Sequence, residues 1–339
     1  MPIKEFQRVL KNVRDKDFKP IYFLSGPETY FIDVITNYIE KNALSEEEKS
    51  FNQTIIYGKD VEKKDDWNKV TDALKRYPMM SEKQVVIIKE AQVIKDLKEQ
   101  LIEYLQNPME TTIFVVCYKY KTTTDQKLLS LIKSKGIFFL SKELSENKVS
   151  NWVSEFLRRR DFKITQKASF LLTEYLGNDL SKISNELEKL TLVLKPDTEI
   201  NTKDIEENIG ISKDYNTFEL INALGTKNNL KAYKIAQYFA DNAKQHPIPL
   251  TIGTLFNYFG KILSIHYLKD KNPRNIASQL GLNPFYVDQY INGARLYPPA
   301  KCAHIIRYIR EADNQWKGIG ASTIKDGEVL KELIYKILN

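Results

Sequence analysis

The chain has 339 residues, 42% of them hydrophobic and 28% charged, with only 13 glycines and 12 prolines. That composition excludes a fibrous or wholly disordered chain, and at about 150 residues per domain the length suggests two or three domains. Two cysteines, Cys117 and Cys302, exclude a disulfide framework and a paired-cysteine metal site. The net charge is +7, and its distribution is uneven. Residues 1–214 carry 35 basic and 35 acidic side chains; residues 215–339 carry 16 and 9. The whole excess lies in the last third, where it could attract a polyanion or could be an ordinary lysine-rich surface. The N-terminus, with Arg8, Lys11 and Arg14 among its first residues, has no long apolar segment and does not read as a signal peptide. The longest aliphatic run, Val85–Ile88, is far short of a membrane span, so a cytoplasmic location is expected.

Residues 20–145 alternate strand-like and helix-like patterns. Short runs rich in β-branched and aromatic residues predict strands at Ile21–Leu24, Thr54–Tyr57, Gln84–Ile88, Thr112–Tyr118 and Gly136–Leu140. Between them, Trp67, Val70, Leu74 and Tyr77 recur at helical spacing, as do Leu97, Leu101, Tyr104 and Leu105. This alternation predicts a parallel sheet covered on both faces.

After residue 147 the strand signals stop. Trp152, Val153, Phe156 and Leu157 form one helical stripe; Ala168, Leu171, Leu172, Tyr175 and Leu176 form another, stopped by Gly177. Asp179 is placed to cap a helix burying Ile183, Leu187, Leu190 and Leu194, ended by Pro196. One more short element is expected at 200–210. Helical patterns then continue through Phe218, Ile221, Ala223 and Leu224, through Leu250–Leu268, and from Gly327 to Leu338. Asn272-Pro273 and Asn283-Pro284 each read as a helix start, with Gly281 as the stop between them. Domain joints are expected near 145 and 212.

An apolar first strand running into Ser25-Gly26-Pro27-Glu28-Thr29-Tyr30-Phe31-Ile32 invites a search for a phosphate loop. Gly26 is present, but the second glycine and the Lys-Ser/Thr pair are not. The strand at Val85–Ile88 is followed by Lys89 and Glu90, and Glu90 stands where an acidic Mg²⁺ ligand is expected. The pattern reads as a nucleotide-binding architecture without competent machinery. No catalytic residue, cofactor or metal site is expected. His246, His266 and His304 stand apart, and both cysteines sit in apolar patterns.

Two segments carry other possibilities. Pro78-Met79-Met80-Ser81-Glu82-Lys83 places two adjacent methionines between a helix breaker and a polar turn. Either one Met plugs the sheet edge, or the pair is an exposed apolar tip for a partner's pocket. Asn275–Ala294 holds Ala277, Gly281 and Val287 at helix-turn-helix spacing. Its second helix begins at Pro284-Phe285-Tyr286, without the Arg, Asn or Gln cluster that reads bases.

Over nearly its full length the chain resembles the delta subunit of the bacterial replicative clamp loader. The matching segments are Ile21–Glu28, Tyr77–Val86, Gly177–Leu180 with Asn185–Leu190, and Ala277–Leu282 with Pro284-Phe285 and Ala294-Arg295. The resemblance implies an α/β plus all-α architecture in three parts. These are an AAA+-like parallel-sheet module with a degenerate phosphate loop at 1–146, a small helical lid at 147–212, and a helical collar for oligomerisation at 213–339. It also implies a subunit that binds the ring-shaped sliding clamp and opens one interface, without hydrolysing ATP. That subunit would have no catalysis of its own and would work within a DNA-directed DNA polymerase holoenzyme. Implied partners are the clamp, the other subunits of a hetero-pentamer, and primed DNA held through its phosphates; no membrane is implied. The family's clamp contact is an apolar pair, and here the matching positions are Met79 and Met80, preceded by Pro78. A Leu-Phe pair is familiar there, so Met-Met departs from the pattern and loses a ring's rigid contact area. The competing readings are an active ATPase, a DNA-binding regulator using 272–295, and a scaffold without clamp affinity.

Overall fold

A computed structural model describes residues 2–210, 215–319 and 325–339. The chain divides into two compact units, Met1–Leu144 and Ser145–Asn339. The expected joint at 212 lies outside the described residues.

The N-terminal unit runs α1 (Pro2–Arg14), β1 (Ile21–Gly26), α2 (Thr29–Asn42), α3 (Glu46–Asn52), β2 (Gln53–Tyr57), α4 (Lys64–Lys75), β3 (Gln84–Lys89), α5 (Leu97–Gln106), β4 (Thr112–Lys119), α6 (Gln126–Lys135) and β5 (Ile137–Leu140). All five expected strands are present and form one parallel sheet in the order β2-β3-β4-β1-β5. The inner strands β1, β3 and β4 are buried along nearly all their length, because helices cover both faces. One face carries Ile21, Phe23, Val86, Ile88, Phe114 and Val116 against Trp67, Val70 and Leu74 of α4, Leu97 and Leu101 of α5, and Leu128 and Ile132 of α6. Each fully buried Leu or Ile contributes roughly 1.5–3 kcal/mol of apolar transfer. α1 has no counterpart in the expected elements. Its Phe6, Val9, Leu10 and Val13 are buried, with the Phe6 ring 4.6 Å from Phe31 of α2.

Tyr77 departs from the expected stripe. α4 ends at Lys75, and Arg76 is already extended (φ −66°, ψ 143°). Pro78 disfavours a helical Tyr77, and that ring is exposed.

The second unit runs α7 (Glu146–Arg158), β6 (Lys163–Ile164), α8 (Gln166–Leu176), α9 (Leu180–Val193), β7 (Glu199–Ile200), α10 (Thr202–Ile209), α11 (Thr217–Gly225), α12 (Asn229–Asp241), α13 (Ile248–Tyr267), α14 (Pro273–Leu280), α15 (Val287–Leu296), α16 (Pro299–Trp316) and α17 (Asp326–Leu338). Asp179 caps α9 by accepting from the Lys182 amide, and Asn272 caps α14 from Arg274. Strand signals do not vanish after 147: β6 and β7 pair in parallel through Lys163–Glu199 and Ile164–Ile200. Two residues carry no readable period. α13 is long and apolar enough to cross a membrane by length and composition. Here its Leu255, Tyr258, Phe259, Ile262 and Ile265 sit in a helical core with α12, α16 and α17.

Candidate docking site

Parallel strands place all their carboxyl ends on one edge of the sheet, and open α/β sheets take ligands there. In this chain that edge is filled from within. Gly26 ends β1 with φ +133°, and a Cβ on it would lie 2.0 Å from the Ser141 carbonyl oxygen. The Ser141 amide donates to Ser25 O (2.6 Å), and its hydroxyl donates to Glu28 O (2.6 Å). Glu28 is buried, and its carboxylate accepts from the Tyr30 amide at 2.9 Å. A phosphate would bind at this N-terminus of α2; the chain's own carboxylate takes that place.

Neighbouring charges are also committed. Glu90 follows β3 in a left-handed conformation (φ 56°). Its carboxylate lies 3.3 Å from the Lys119 ammonium, which is 2.8 Å from Asp33. Burial works against the Lys119 charge. The hydrogen bond and charge of Asp33, with Glu90, outweigh it and hold the ammonium above the usual lysine range. Glu90 is therefore an ion-pair partner in this structure, not a free carboxylate facing a cation.

The opposite, amino edge differs. Residues 76–83 link α4 to β3 there. The last carbonyls of α4 are satisfied by buried side chains from the strand starts: Gln84 Nε2 donates to Ala73 O (3.0 Å) and Arg76 O (2.6 Å), and Thr112 Oγ1 donates to Leu74 O (2.9 Å). Beyond that stop, Pro78 is half-buried, Met79 is 54% exposed and Met80 is wholly exposed (102%). Met80 has φ 52°, a left-handed conformation that costs about 1–2 kcal/mol for a side chain of this kind. Neither Met plugs the sheet edge. Tyr77 (73% exposed) precedes the pair, and Phe51 (60%) stands at the end of α3.

Hydrogen bonds tie the loop to α3. Arg76 Nη2 donates to Phe51 O (2.9 Å), and Asn52 bonds both backbone groups of Met79 (2.7 and 2.8 Å). The Ser45 backbone amide, with Ser81 and the Ser45 side chain, holds the Glu48 carboxylate below the usual carboxylate range. The sequence pointed to Pro78, Met79 and Met80; it gave no sign of Arg76 beside them, nor of Phe51 and Asn52, the latter 27 residues before Met79.

The remaining sequence candidates have structural places. His246 stacks on Phe239 (4.2 Å), and burial lowers its pKa. His266 Nε2 lies 2.9 Å from Tyr297 O. Burial pushes the Cys117 thiol up to about 12 and the Cys302 thiol to about 11, so neither is a nucleophile at neutral pH. The helix-turn-helix spacing is also met by packing. Tyr286, just before α15, is buried with its ring 4.1 Å from Phe170 and 5.3 Å from Phe218. The exposed positions of α15 are Asp288, Asn292, Arg295 and Leu296. An acid in the first turn and one arginine in the last do not make a base-reading face.

The fold class is therefore α/β plus all-α: a five-stranded parallel-sheet module whose first turn lacks the second glycine and the Lys-Ser/Thr pair of a phosphate loop, followed by helical structure. A family model described as the DNA polymerase III delta subunit matches residues 22–142, and the model of that subunit's C-terminal domain matches residues 214–335. The chain belongs to the DNA polymerase III delta subunit family. It is 28% identical over 338 residues to the DNA polymerase III subunit delta of Bacillus subtilis (strain 168), covering 96% of this chain and 94% of that one. The solved structure of the Bacillus subtilis DNA clamp loader delta protein (YqeN) shares the fold, with a TM-score of 0.58 at 24% identity, covering 98% and 99% of the two chains.

Proposed function

We propose that this chain is the clamp-loader subunit that binds the DNA sliding clamp through Met79 and Met80, with Pro78 shaping the turn, and opens the ring for loading onto primed DNA. The observation that carries this reading is the wholly exposed Met80 on a hydrogen-bonded loop of a delta-family chain. Two adjacent apolar side chains exposed on a loop tied down by hydrogen bonds suit a partner's apolar pocket. Burying two methionines contributes roughly 3–6 kcal/mol at about 1.5–3 kcal/mol each. Shifting a ring from 1:99 to 99:1 open needs a differential of about 5.5 kcal/mol. The two numbers are comparable only if most of the contact is made in the open form, and the exposed rings of Tyr77 on the loop and Phe51 on the helix tied to it offer further area.

The sealed carboxyl edge supports a subunit that does not hydrolyse ATP itself; the nucleotide-dependent step then belongs to neighbouring subunits of a hetero-pentamer. In this reading residues 1–146 carry the tip, 147–212 form the lid and 213–339 the collar, at work in the cytoplasm. The basic excess after residue 215 suits phosphate contacts to primed DNA without base reading. The test is surface plasmon resonance against the sliding clamp of the same organism, comparing wild type with Met79→Ala, Met80→Ala. Nucleotide-independent binding that collapses in the double variant is expected. Equal binding by a folded double variant would move the contact elsewhere.

A further inference from the structure

A loop that ends in two exposed methionines has little of its own to fix its shape. Thioethers are weak acceptors and donate nothing, and Met80 sits in a conformation that an L residue leaves when it is free to. Asn52 supplies what the loop lacks. It is the last residue of α3 and is 1% exposed. Its Oδ1 accepts from the Met79 amide at 2.7 Å, and its Nδ2 donates to the Met79 carbonyl at 2.8 Å. One side-chain amide thus satisfies both backbone groups of one residue, 27 positions away. A side-chain amide offers a donor and an acceptor side by side in one planar, uncharged group. A flipped amide would set donor against donor and acceptor against acceptor, so the orientation is fixed. Buried, such a pair is worth more than in water, and an orphaned half of it is costly.

We propose that Asn52 is a positioning residue for docking. It pins Met79 so that Met80, next in the chain, projects into solvent in its left-handed conformation, and the loop meets its partner pre-organised. The proposal rests on the reading of Met79 and Met80 as the clamp contact. Pre-organisation raises affinity by removing the ordering cost from the binding step. The partner is the apolar pocket of the sliding clamp, and Asn52, being buried, does not touch it.

The experiment uses the full chain labelled at the methionine methyl groups, of which there are four, at Met1, Met79, Met80 and Met109. Asn52→Ala, Asn52→Asp and the double methionine variant are compared with wild type for clamp affinity, methyl signals and melting temperature. Asn52→Ala is expected to weaken clamp binding about tenfold. The Met79 and Met80 signals should move toward free-chain positions while Met109 holds. Asn52→Asp keeps the acceptor for the Met79 amide but sets a buried carboxylate against the Met79 carbonyl, so it weakens binding at least as much as Asn52→Ala. If neither folds, Asn52→Ser, which keeps a small polar side chain, carries the test. Wild-type affinity in the asparagine variants, with binding lost in the double methionine variant, overturns the role of Asn52 and leaves the contact standing. Weakened binding with unmoved Met79 and Met80 signals also overturns it, since the effect is then not on the loop. Full binding by the double methionine variant removes the contact itself, and the positioning role with it.

Discussion

The two edges of the parallel sheet are built from the same strands and treated in opposite ways. At the carboxyl edge, Ser141 bonds Ser25 and Glu28, Glu28 accepts from the start of α2, and Lys119 pairs with Asp33 and Glu90. At the amino edge, polar side chains point inward to hold a loop whose apolar side chains point outward. Strand direction separates the two. Changes in the turns after β1 and β3 can close a nucleotide site without touching the loop before β3. A fold made for binding at one edge can therefore be reused at the other.

The largest effect is expected where the sealed edge is forced open. Gly26→Ala drives a Cβ into the Ser141 carbonyl and keeps a strained φ, so urea unfolding of the full chain should show a loss of about 3 kcal/mol or more. The amino edge should respond in affinity and not in stability. Met79→Ala, Met80→Ala should cost at least about a hundredfold in clamp binding, with an unchanged melting temperature. A shift in melting temperature instead would mean that the pair is part of the core. Phe51→Ala should weaken clamp binding by a smaller factor, on the order of threefold to tenfold, because this exposed ring immediately precedes Asn52, which holds Met79. Glu28→Gln removes the charge at the α2 N-terminus and should cost about 0.5–1 kcal/mol of stability, read by thermal melting. Calorimetry with ATP tests whether it also uncovers an anion site; measurable binding would show that the seal is the carboxylate alone.

The smallest effects are opposite in pH. Lys119 titrates higher in the folded chain than in the unfolded one, so its contribution is complete below the ordinary lysine range and is lost as pH rises through its folded value. Glu48 titrates lower in the folded chain, so its contribution is present above the ordinary glutamate range and is lost as pH falls through its folded value. Hydrogen exchange should therefore show the α2–β4 edge loosening first in alkali and the loop at Ser81 loosening first in acid. The same order at both extremes would break the comparison.

The strands were legible because each is a short β-branched or aromatic run with a helical pattern on either side. β6 and β7 were not, since two residues have no period. Phe6, Val9, Leu10 and Val13 do carry helical spacing, but dispersed among charges they were not read as α1. The exposed loop was legible through Pro78 and the odd pairing of Met79 and Met80. Tyr77 was misplaced because its spacing continues the α4 stripe, while the proline after it prevents the helix from doing so. Asn52 was invisible: a single asparagine after a charged helix looks like any surface residue, and its meaning depends on Met79 arriving beside it through sheet pairing.

The tip's composition has a chemical consequence. Met80 is wholly exposed, so no packing shields its sulfur from peroxide. Oxidation to the sulfoxide would place a polar, chiral S=O where an apolar contact is needed, and methionine sulfoxide reductases can reverse it. A leucine-phenylalanine tip has no such chemistry. If Met80 makes the contact proposed above, that contact is open to the oxidant load of the surroundings, through a single atom that mass spectrometry can follow.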